Sequence, residues 1–480
     1  MTRGQSAVRE RVLFFGDLVL VLLAAYVGPL LRFGEPINVF RTYTGATLIF
    51  VFSFLSSFYI AGLFNIEELS TGTRTLLRLI GASAVATLLS STLFYFSPHY
   101  RYGRGIFVLA ALLMVLFAYG WRLLAHSYWR AFVRAVPTLV IGTGRSAGVI
   151  HRLVGRNHSE YSIVGFVQTQ FKTAAAANPD SRARGGLSAL GATAEVAVPD
   201  SGVVGGMSAL GTLVKEHNIG CLVVASDVRE LSAEHAGVLT ETKFSGVYIF
   251  DSAAFYMRIA EALPLELLDE SWLWFAEGFD LLQAQLARKV KRLSDVVLSF
   301  AGLVLSLPLG LLAILAIKLD SPGPVFYRQM RVGLQGKMFE LVKFRSMRVD
   351  AEAAGGPQCA RVNDDRVTRV GLWIRKMRID EIPQMINVLK GDMSFIGPRP
   401  ERPEFVKQFK GVIPFYGLRH YVHPGITGWA QVNYPYGATV EDAKRKLEYD
   451  LYYVVKASLF LDLRILLRTV RIVLFQVGSR

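Results

Sequence analysis

The chain opens with four long apolar runs, at roughly 12–31, 44–64, 79–96 and 105–121. Each is close to the ~20 residues needed to cross a hydrocarbon core of about 30 Å. Short linkers join them, which predicts a four-helix transmembrane bundle over residues 1–134. Arg3, Arg9, Arg11, Arg74, Arg78, Arg122, Arg130 and Arg134 flank one side; Arg32, Arg41, Arg101 and Arg104 flank the other. The positive-inside rule then places both ends of the bundle in the cytoplasm. Asp17 is the ionisable outlier of the first run and predicts a polar contact within the bundle. No run carries the paired polar residues or broken helices of a transporter, so the bundle is expected to be an anchor.

Over 135–285 the pattern changes to short β-branched strands, expected at 138–141, 162–167, 221–225 and 247–250, separated by helical periodicity. The first strand leads into Gly142, Gly144 and Ala147, the GxGxxA form of a dinucleotide turn. This predicts a Rossmann-like α/β domain. The acid that would hold a ribose after the second strand is missing, with Gln168 and Thr169 in its place, which argues against NAD. Residues 170–212 are rich in Ala, Gly and Ser, and carry GGLSALG at 185–191 and GGMSALG at 205–211. Two copies are too few for a solenoid, and a flexible insertion is the expected state.

The last segment, 286–480, begins with a fifth apolar stretch at 293–319. Lys289, Lys291 and Arg292 precede it, and Lys318, Arg328 and Arg331 follow. A full crossing would carry a strongly basic domain away from the cytosol. Ser306 and Pro308 sit near its middle, and an interior proline removes a backbone bond and bends a helix. The expected element is a re-entrant helix that turns at Ser306 and Pro308 and leaves on the side it entered.

Downstream, Ile382, Met385, Ile386 and Leu389 recur at i, i+3, i+4 and i+7, an amphipathic helix with one buried face. Asp380 stands at the N-cap position, Pro383 in the first turn and Gly391 at the stop. Acids at a helix start can be ordinary caps. Here Arg375 and Arg378 lie just upstream, and Arg399 stands between the stiffening Pro398 and Pro400. Guanidinium groups suit phosphate oxygens, and Mg²⁺ takes only one or two protein carboxylates. Asp380 and Glu381 do not face the same way on a helix, so separate tasks are expected. One would serve as nucleophile or metal ligand, the other as metal ligand or proton acceptor, in phosphoryl chemistry.

Charge and cysteine content narrow the class. Of a formal net charge of +15, the residues from Lys289 onward supply +13, with 30 Lys and Arg against 17 Asp and Glu. That excess is interleaved with membrane-contact sequence, so no nucleic-acid partner is expected. Cys221 and Cys359 are the two cysteines, too few for a disulfide framework or a cysteine zinc site, and a reducing compartment follows.

The blocks SPGPVFYRQMRVG (321–333), KFRSM (343–347), RIDEIPQMINVLKGDMSFIGPRPE (378–401), HPGITGWAQV (423–432) and YDLYYVVKASLFLDLRILLRT (449–469) follow one another in order. With them, residues 286–480 resemble the bacterial sugar transferase family, the monotopic phosphoglycosyl transferases. The bundle and Rossmann-like domain resemble its large subclass that initiates exopolysaccharide synthesis. The fold class so implied is a mixed membrane protein: a transmembrane bundle, an α/β domain and an α-rich monotopic catalytic domain.

The resemblance implies transfer of a hexose-1-phosphate from a UDP-sugar to undecaprenyl phosphate, with release of UMP, at the cytoplasmic face of the inner membrane. It implies Asp380 as the nucleophile of a covalent phosphosugar intermediate, Glu381 beside it, and Mg²⁺ held by the two. Arg375 and the Pro398-Arg399-Pro400 loop match the family's phosphate-binding positions, and Lys343 and Arg345 are expected to join them. Glucose is the first expected sugar, galactose the second and an N-acetylated sugar the third. A homodimer through the N-terminal region is a further expectation.

Four side readings complete the set. Arg464, Arg468 and Arg471 form a basic stripe, read as solvated or as touching lipid phosphates. His420 and His423 are structural or donor-side groups, and Tyr434 and Tyr436 are candidates to stack on a uracil. The competing class is a membrane sensor in which a nucleotide at Gly142 and Gly144 controls a polysaccharide assembly complex.

Overall fold

A computed structural model describes residues 5–34, 42–64, 73–97, 102–132, 135–156, 160–168, 202–225, 232–268, 272, 274, 278–279, 284–349, 351, 364–435, 437 and 439–475. The chain forms two compact units, Met1–Arg134 and Ala135–Arg480.

The first unit holds α1 (Gln5–Phe33), α2 (Thr44–Ile60), α3 (Thr73–Phe96) and α4 (Arg104–Phe132). Within α1, α3 and α4, the segments Glu10–Phe33, Thr75–Phe96 and Arg104–Trp129 are long and apolar enough to cross a membrane; α2 is apolar and shorter, at 17 residues. Phe50, Phe54, Phe58, Leu13, Leu79 and Met114 fill the interior. Leu48, Phe52, Leu88, Leu112 and Leu116 point outward and are exposed. A helix apolar on both sides is suited to lipid outside and helix inside.

The polar contact expected of Asp17 is with Arg122. The guanidinium donates to both carboxylate oxygens, at 3.0 and 2.7 Å, and both residues are buried. Arg122 also donates to the Ala118 and Leu63 carbonyls. Arg122 therefore is an internal partner, and does not belong with the flanking charges used above for orientation.

In the second unit a five-stranded parallel sheet has the order β3-β2-β1-β4-β5. It comprises β1 (Val136–Ile141), β2 (Tyr161–Gln168), β3 (Val203–Gly206), β4 (Cys221–Val224) and β5 (Tyr248–Asp251). Between them run α5 (Arg145–Arg156), α6 (Leu210–Glu216) and α7 (Ala233–Phe244), and α8 (Ser252–Ala260) follows β5. The strands expected from the sequence are present within a residue or two at each end. The fully buried runs 138–141 of β1 and 221–224 of β4, at the middle of the sheet, follow from helices covering both faces.

The expected flexible insertion needs correction at its C-terminal end. Residues 203–206 form the edge strand β3, and Met207, Leu210 and Leu213 are buried against Leu139, Ile141, Val167 and Leu222. The second GGMSALG copy is thus an ordered strand-to-helix turn. Small residues let the backbone approach the sheet, while the apolar residues at 207, 210 and 213 share one helix face. The first copy lies outside the described residues.

The remainder is built on α9 (Gln285–Asp320), 36 residues long and also long and apolar enough to cross a membrane. The helix continues through Ser306 and Pro308 without interruption. After it come the antiparallel hairpin β6 (Phe326–Val332) and β7 (Met338–Phe344), then α10 (Arg369–Lys376), α11 (Gln384–Lys390) and β8 (Ser394–Ile396). The chain ends through α12 (Pro403–Val412), β9 (Gly425–Thr427), α13 (Trp429–Asn433), α14 (Val440–Lys456) and α15 (Leu459–Phe475), with β9 parallel to β8.

Both ends of α9 are bonded to this one body. At the N-terminal end, Lys291 pairs with Asp462 at 2.8 Å, and Asp295 accepts from the Ser394 hydroxyl and the Phe395 N–H, both at 3.0 Å. At the C-terminal end, Ala313 and Ile317 pack with Phe344, Ile374 and Ile379, and Asp320 accepts from the Val370 N–H at 3.2 Å. Between them Val304, Leu305, Leu307, Leu311, Leu312 and Leu315 are exposed.

Candidate active site

Asp380 and Glu381 lie in a single 3₁₀ turn, Ile379–Glu381, entered through Arg378 in the left-handed region at φ 55°. Asp380 makes no capping bond, so its expected role as N-cap is corrected; the chain turns too tightly for its carboxylate to return to the helix N–H groups. The buried face of α11 also differs from the expected one. Gln384, Asn387 and Val388 are buried, Ile382, Met385 and Leu389 are half-buried, and Ile386 is exposed. The cause is the free edge of β7. Asn387 accepts from the Val342 N–H at 3.1 Å and donates to the Glu340 carbonyl at 2.7 Å, satisfying backbone groups that a two-stranded hairpin leaves open. That contact rotates the helix and fixes Glu381, two turns earlier, over the end of β7.

Glu381 Oε1 is 3.0 Å from Arg399 Nη2 and 3.5 Å from Lys343 Nζ, and its Oε2 is 3.7 Å from Arg378 Nη1. Burial alone would raise the pKa of Glu381, but Arg399, Lys343 and Arg378 outweigh it and hold it down at about 2. Asp380 behaves oppositely. Burial, followed by the neighbouring Glu381 charge, pushes it above the usual carboxylate range despite Lys343, Arg399 and Arg375. Among the described residues Asp380 has no hydrogen bond or ion pair. One carboxylate is therefore committed to the protein, and its neighbour is left with free oxygens.

The loop carrying Arg399 is fixed by its backbone. The carbonyls of Pro398, Arg399, Pro400 and Glu401 accept in turn from the Gly425 N–H (2.9 Å), Arg419 Nη2 (3.0 Å), Arg331 Nη1 (3.1 Å) and the Val332 N–H (3.1 Å). Pro398 and Pro400 are buried and Arg399 is half-buried. Arg419 is itself held by Asp450 at 2.7 Å and the Tyr416 hydroxyl at 2.8 Å. Sequence reasoning gave Arg331, Arg419 and Asp450 no role. Arg331 and Asp450 lie within matched blocks, while nothing local marks Arg419, whose links to the Arg399 carbonyl and Asp450 span 20 and 31 positions.

Of the expected phosphate-binding residues, Lys343 and Arg399 meet at Glu381, and Arg375 lies near enough to favour the ionised form of Asp380. Arg345 does not join them. Its buried guanidinium donates to the Ser321 and Pro322 carbonyls at 2.7 and 2.8 Å, and to the Ser321 hydroxyl at 2.9 Å. Its Nη2 also reaches the Ile317 carbonyl at 3.4 Å, so it caps the C-terminus of α9, where the last helix carbonyls need donors.

The side readings resolve as follows. Arg464 pairs with Glu261 at 2.6 Å, and Arg468 bonds Asn433 and stands over the Trp429 ring, so these two of the stripe face protein. His420 is buried with Nδ1 3.2 Å from the Gly417 carbonyl; burial and the Arg419 and Lys410 charges push it down to about 4, so it is neutral near pH 7. The Tyr434 hydroxyl donates to Asp442 at 3.0 Å, and Tyr436 lies outside the described residues. Gly142, at φ 110°, and Gly144 form the turn from β1 into α5, and Arg145 at its end is 3.5 Å from Glu266.

Among the described residues no cluster of three His, Cys, Asp or Glu side chains could cage a metal. A hard cation that takes one or two carboxylates and completes its shell with water and substrate phosphate fits the free oxygens of Asp380 and the weakly engaged Oε2 of Glu381.

Comparison with known proteins adds a family. Residues 286–476 match the model for bacterial sugar transferases. Over 200 residues the chain is 49% identical to a UDP-N-acetylgalactosamine-undecaprenyl-phosphate N-acetylgalactosaminephosphotransferase of Aeromonas hydrophila, covering 42% of this chain and 47% of the relative. It is 44% identical over 185 residues to a UDP-glucose:undecaprenyl-phosphate glucose-1-phosphate transferase of Escherichia coli K12, covering 38% and 40%. A protein of the same activity in Caulobacter vibrioides is 46% identical over 182 residues, covering 38% of this chain and 68% of the relative. The match thus spans less than half the length of the first two.

Proposed function

The chain belongs to the bacterial sugar transferase family, and on that footing we propose that it transfers a sugar-1-phosphate from a UDP-sugar to undecaprenyl phosphate. The observation that carries this reading is the unequal state of two adjacent carboxylates, with Glu381 bound by three cations and Asp380 unpaired among the described residues.

In the first step an Asp380 oxygen attacks the phosphorus that bears the sugar. An aspartyl–phosphosugar bond forms, the P–O bond to the bridging oxygen breaks, and UMP departs with that oxygen. In the second step a phosphate oxygen of undecaprenyl phosphate attacks the same phosphorus. The aspartyl bond breaks and the carboxylate is regenerated. Dividing the transfer lets one site treat a soluble donor and a lipid acceptor in turn.

Lys343 and Arg399 stand where negative charge grows on the phosphoryl oxygens, and their arrangement around Glu381 precedes substrate, so little reorganisation is needed. Arg375 approaches from α10 and would bind the donor's phosphates. Mg²⁺, held by Asp380 and Glu381 together with substrate phosphate, would supply neutralisation of the pyrophosphate charge.

The bonding of both ends of α9 to one body supports the re-entrant reading. A crossing would require Lys291–Asp462 and Asp320–Val370 to lie on opposite faces of the bilayer. Leaving and re-entering on one side lets the exposed Val304–Leu315 stretch dip into lipid and brings the site to the acceptor headgroup. The catalytic body then faces the cytoplasm at the inner membrane. Relatives act on UDP-glucose and on UDP-N-acetylgalactosamine, and we take glucose first as the sugar, for exopolysaccharide initiation. UMP release from a panel of UDP-sugars, in membranes holding the chain or its Asp380→Asn variant, tests this. Release with one sugar and none from the variant supports it; equal release from both contradicts it.

A further inference from the structure

The family model matches residues 286–476, yet in the second unit the sheet is bolted to that part at a few points. Glu261, which ends α8 in the left-handed region at φ 49°, makes two of them. Its carbonyl accepts from the Trp429 indole N–H at 2.8 Å, and its carboxylate takes Arg464 at 2.6 Å. Trp429 is 1% exposed, with Arg464 and Arg468 over its ring and Tyr452 stacked at 5.9 Å. A buried indole N–H needs a partner, and the catalytic portion does not provide it here; the sheet portion does.

Trp429 follows Gly428, and this is where the contact reaches the site. The Gly397 N–H donates to the Thr427 carbonyl at 2.9 Å, the Gly425 N–H donates to the Pro398 carbonyl at 2.9 Å, and a Cβ at Gly428 would overlap the Gly397 carbonyl. So β9, which ends two residues before Trp429, lies against the backbone that begins the Arg399 loop, with no room for slack. A second route starts two residues after Glu261. The Leu263 N–H donates to the Glu448 carbonyl at 2.8 Å, and Asp450, two residues on, holds Arg419 against the Arg399 carbonyl.

We propose that Glu261, acting through Trp429, is a positioning residue for Arg399, so that the sheet portion sets the register of the phosphate-binding loop. This rests on the transferase reading above. The sheet would then act on catalysis without touching substrate, and any partner or ligand that moved α8 would be felt at Arg399.

The test is a double-mutant cycle in the full-length membrane protein, read as the single-turnover burst of UMP from donor without acceptor. Trp429→Phe removes the N–H and keeps the ring; Glu261→Gln keeps the carbonyl and weakens the hold on Arg464. Each is measured alone and with Arg399→Lys. If the contact works through Arg399, Trp429→Phe slows the burst about tenfold in the native background and less than about twofold beside Arg399→Lys. Equal losses in both backgrounds would make Trp429 a general stability element and overturn the inference, as would no loss. Where Arg399→Lys turns over too slowly, the same cycle is read in UDP-sugar affinity. Absence of any burst from the unaltered chain would instead count against the transferase reading.

Discussion

Arg399 Nη2 stands 3.0 Å from Glu381 Oε1, while the adjacent Asp380 takes no such bond among the described residues. Two neighbouring acids are thereby given different tasks by their cations. Glu381 organises Lys343, Arg399 and Arg378, and on the proposed function Asp380 keeps a lone pair for phosphorus. Removing the organiser leaves three cations without their shared partner. Glu381→Gln is expected to slow UMP release by about 10²–10³-fold, the usual cost of disturbing a preorganised charge site. A folded protein with near-native release would show that Glu381 does not organise the site.

The buried Asp17–Arg122 pair makes the first unit sensitive to single changes. Losing one partner strands the other's charge, at a cost of about 3–5 kcal/mol. Arg122→Met is therefore expected to lower the unfolding midpoint in detergent strongly. Asp17→Leu combined with Arg122→Leu is expected to lie nearer the native midpoint than either single change. Additive losses would mean that the bidentate contact carries no coupling.

The re-entrant reading of α9 predicts that its two ends share a compartment. Lys289→Cys and Pro324→Cys, both at exposed positions, should each resist a membrane-impermeant thiol reagent added outside intact cells and react after lysis. Labelling of one of them from outside would make α9 a crossing helix.

His420 supplies a pH signature. Its folded value of about 4 is below the ordinary 6.5, because it is buried beside Arg419 and Lys410, with the Gly417 carbonyl opposing the shift only in part. The folded chain keeps the ring neutral while the unfolded chain takes up a proton below about 6.5. The stability tied to this group is complete above 6.5 and is lost as pH falls from there towards about 4. Unfolding midpoints should drop over that window less steeply in His420→Gln than in the native chain. Parallel curves would contradict the assignment.

Much of this was legible in the sequence. Apolar runs marked the four apolar helices of the first unit, β-branched runs marked β1, β2, β4 and β5, and the Asp380-Glu381 pair with Arg375 and Arg399 marked the candidate site. What escaped depends on contacts far apart in the chain. Arg345 caps α9 and Arg122 pairs with Asp17, 105 positions away, though each reads locally as one more basic residue. Asn387 turns α11 by bonding a strand edge, so polar Gln384 and Asn387 lie inward where periodicity placed Ile386. The 203–213 segment has a disordered-looking composition, yet it buries Met207, Leu210 and Leu213 because one helix face meets the sheet. Local pattern reports which face is apolar, and only the completed fold reports which backbone groups still need a partner.

The account stands on a bond between Asp380 and a sugar phosphate. Donor carrying a label in the sugar-linked phosphate, given without acceptor and quenched in mid-turnover, should leave that label on the peptide containing Asp380. Undecaprenyl phosphate should then discharge it. Steady release of UMP on adding both substrates, with no label on that peptide at any time, would contradict the account.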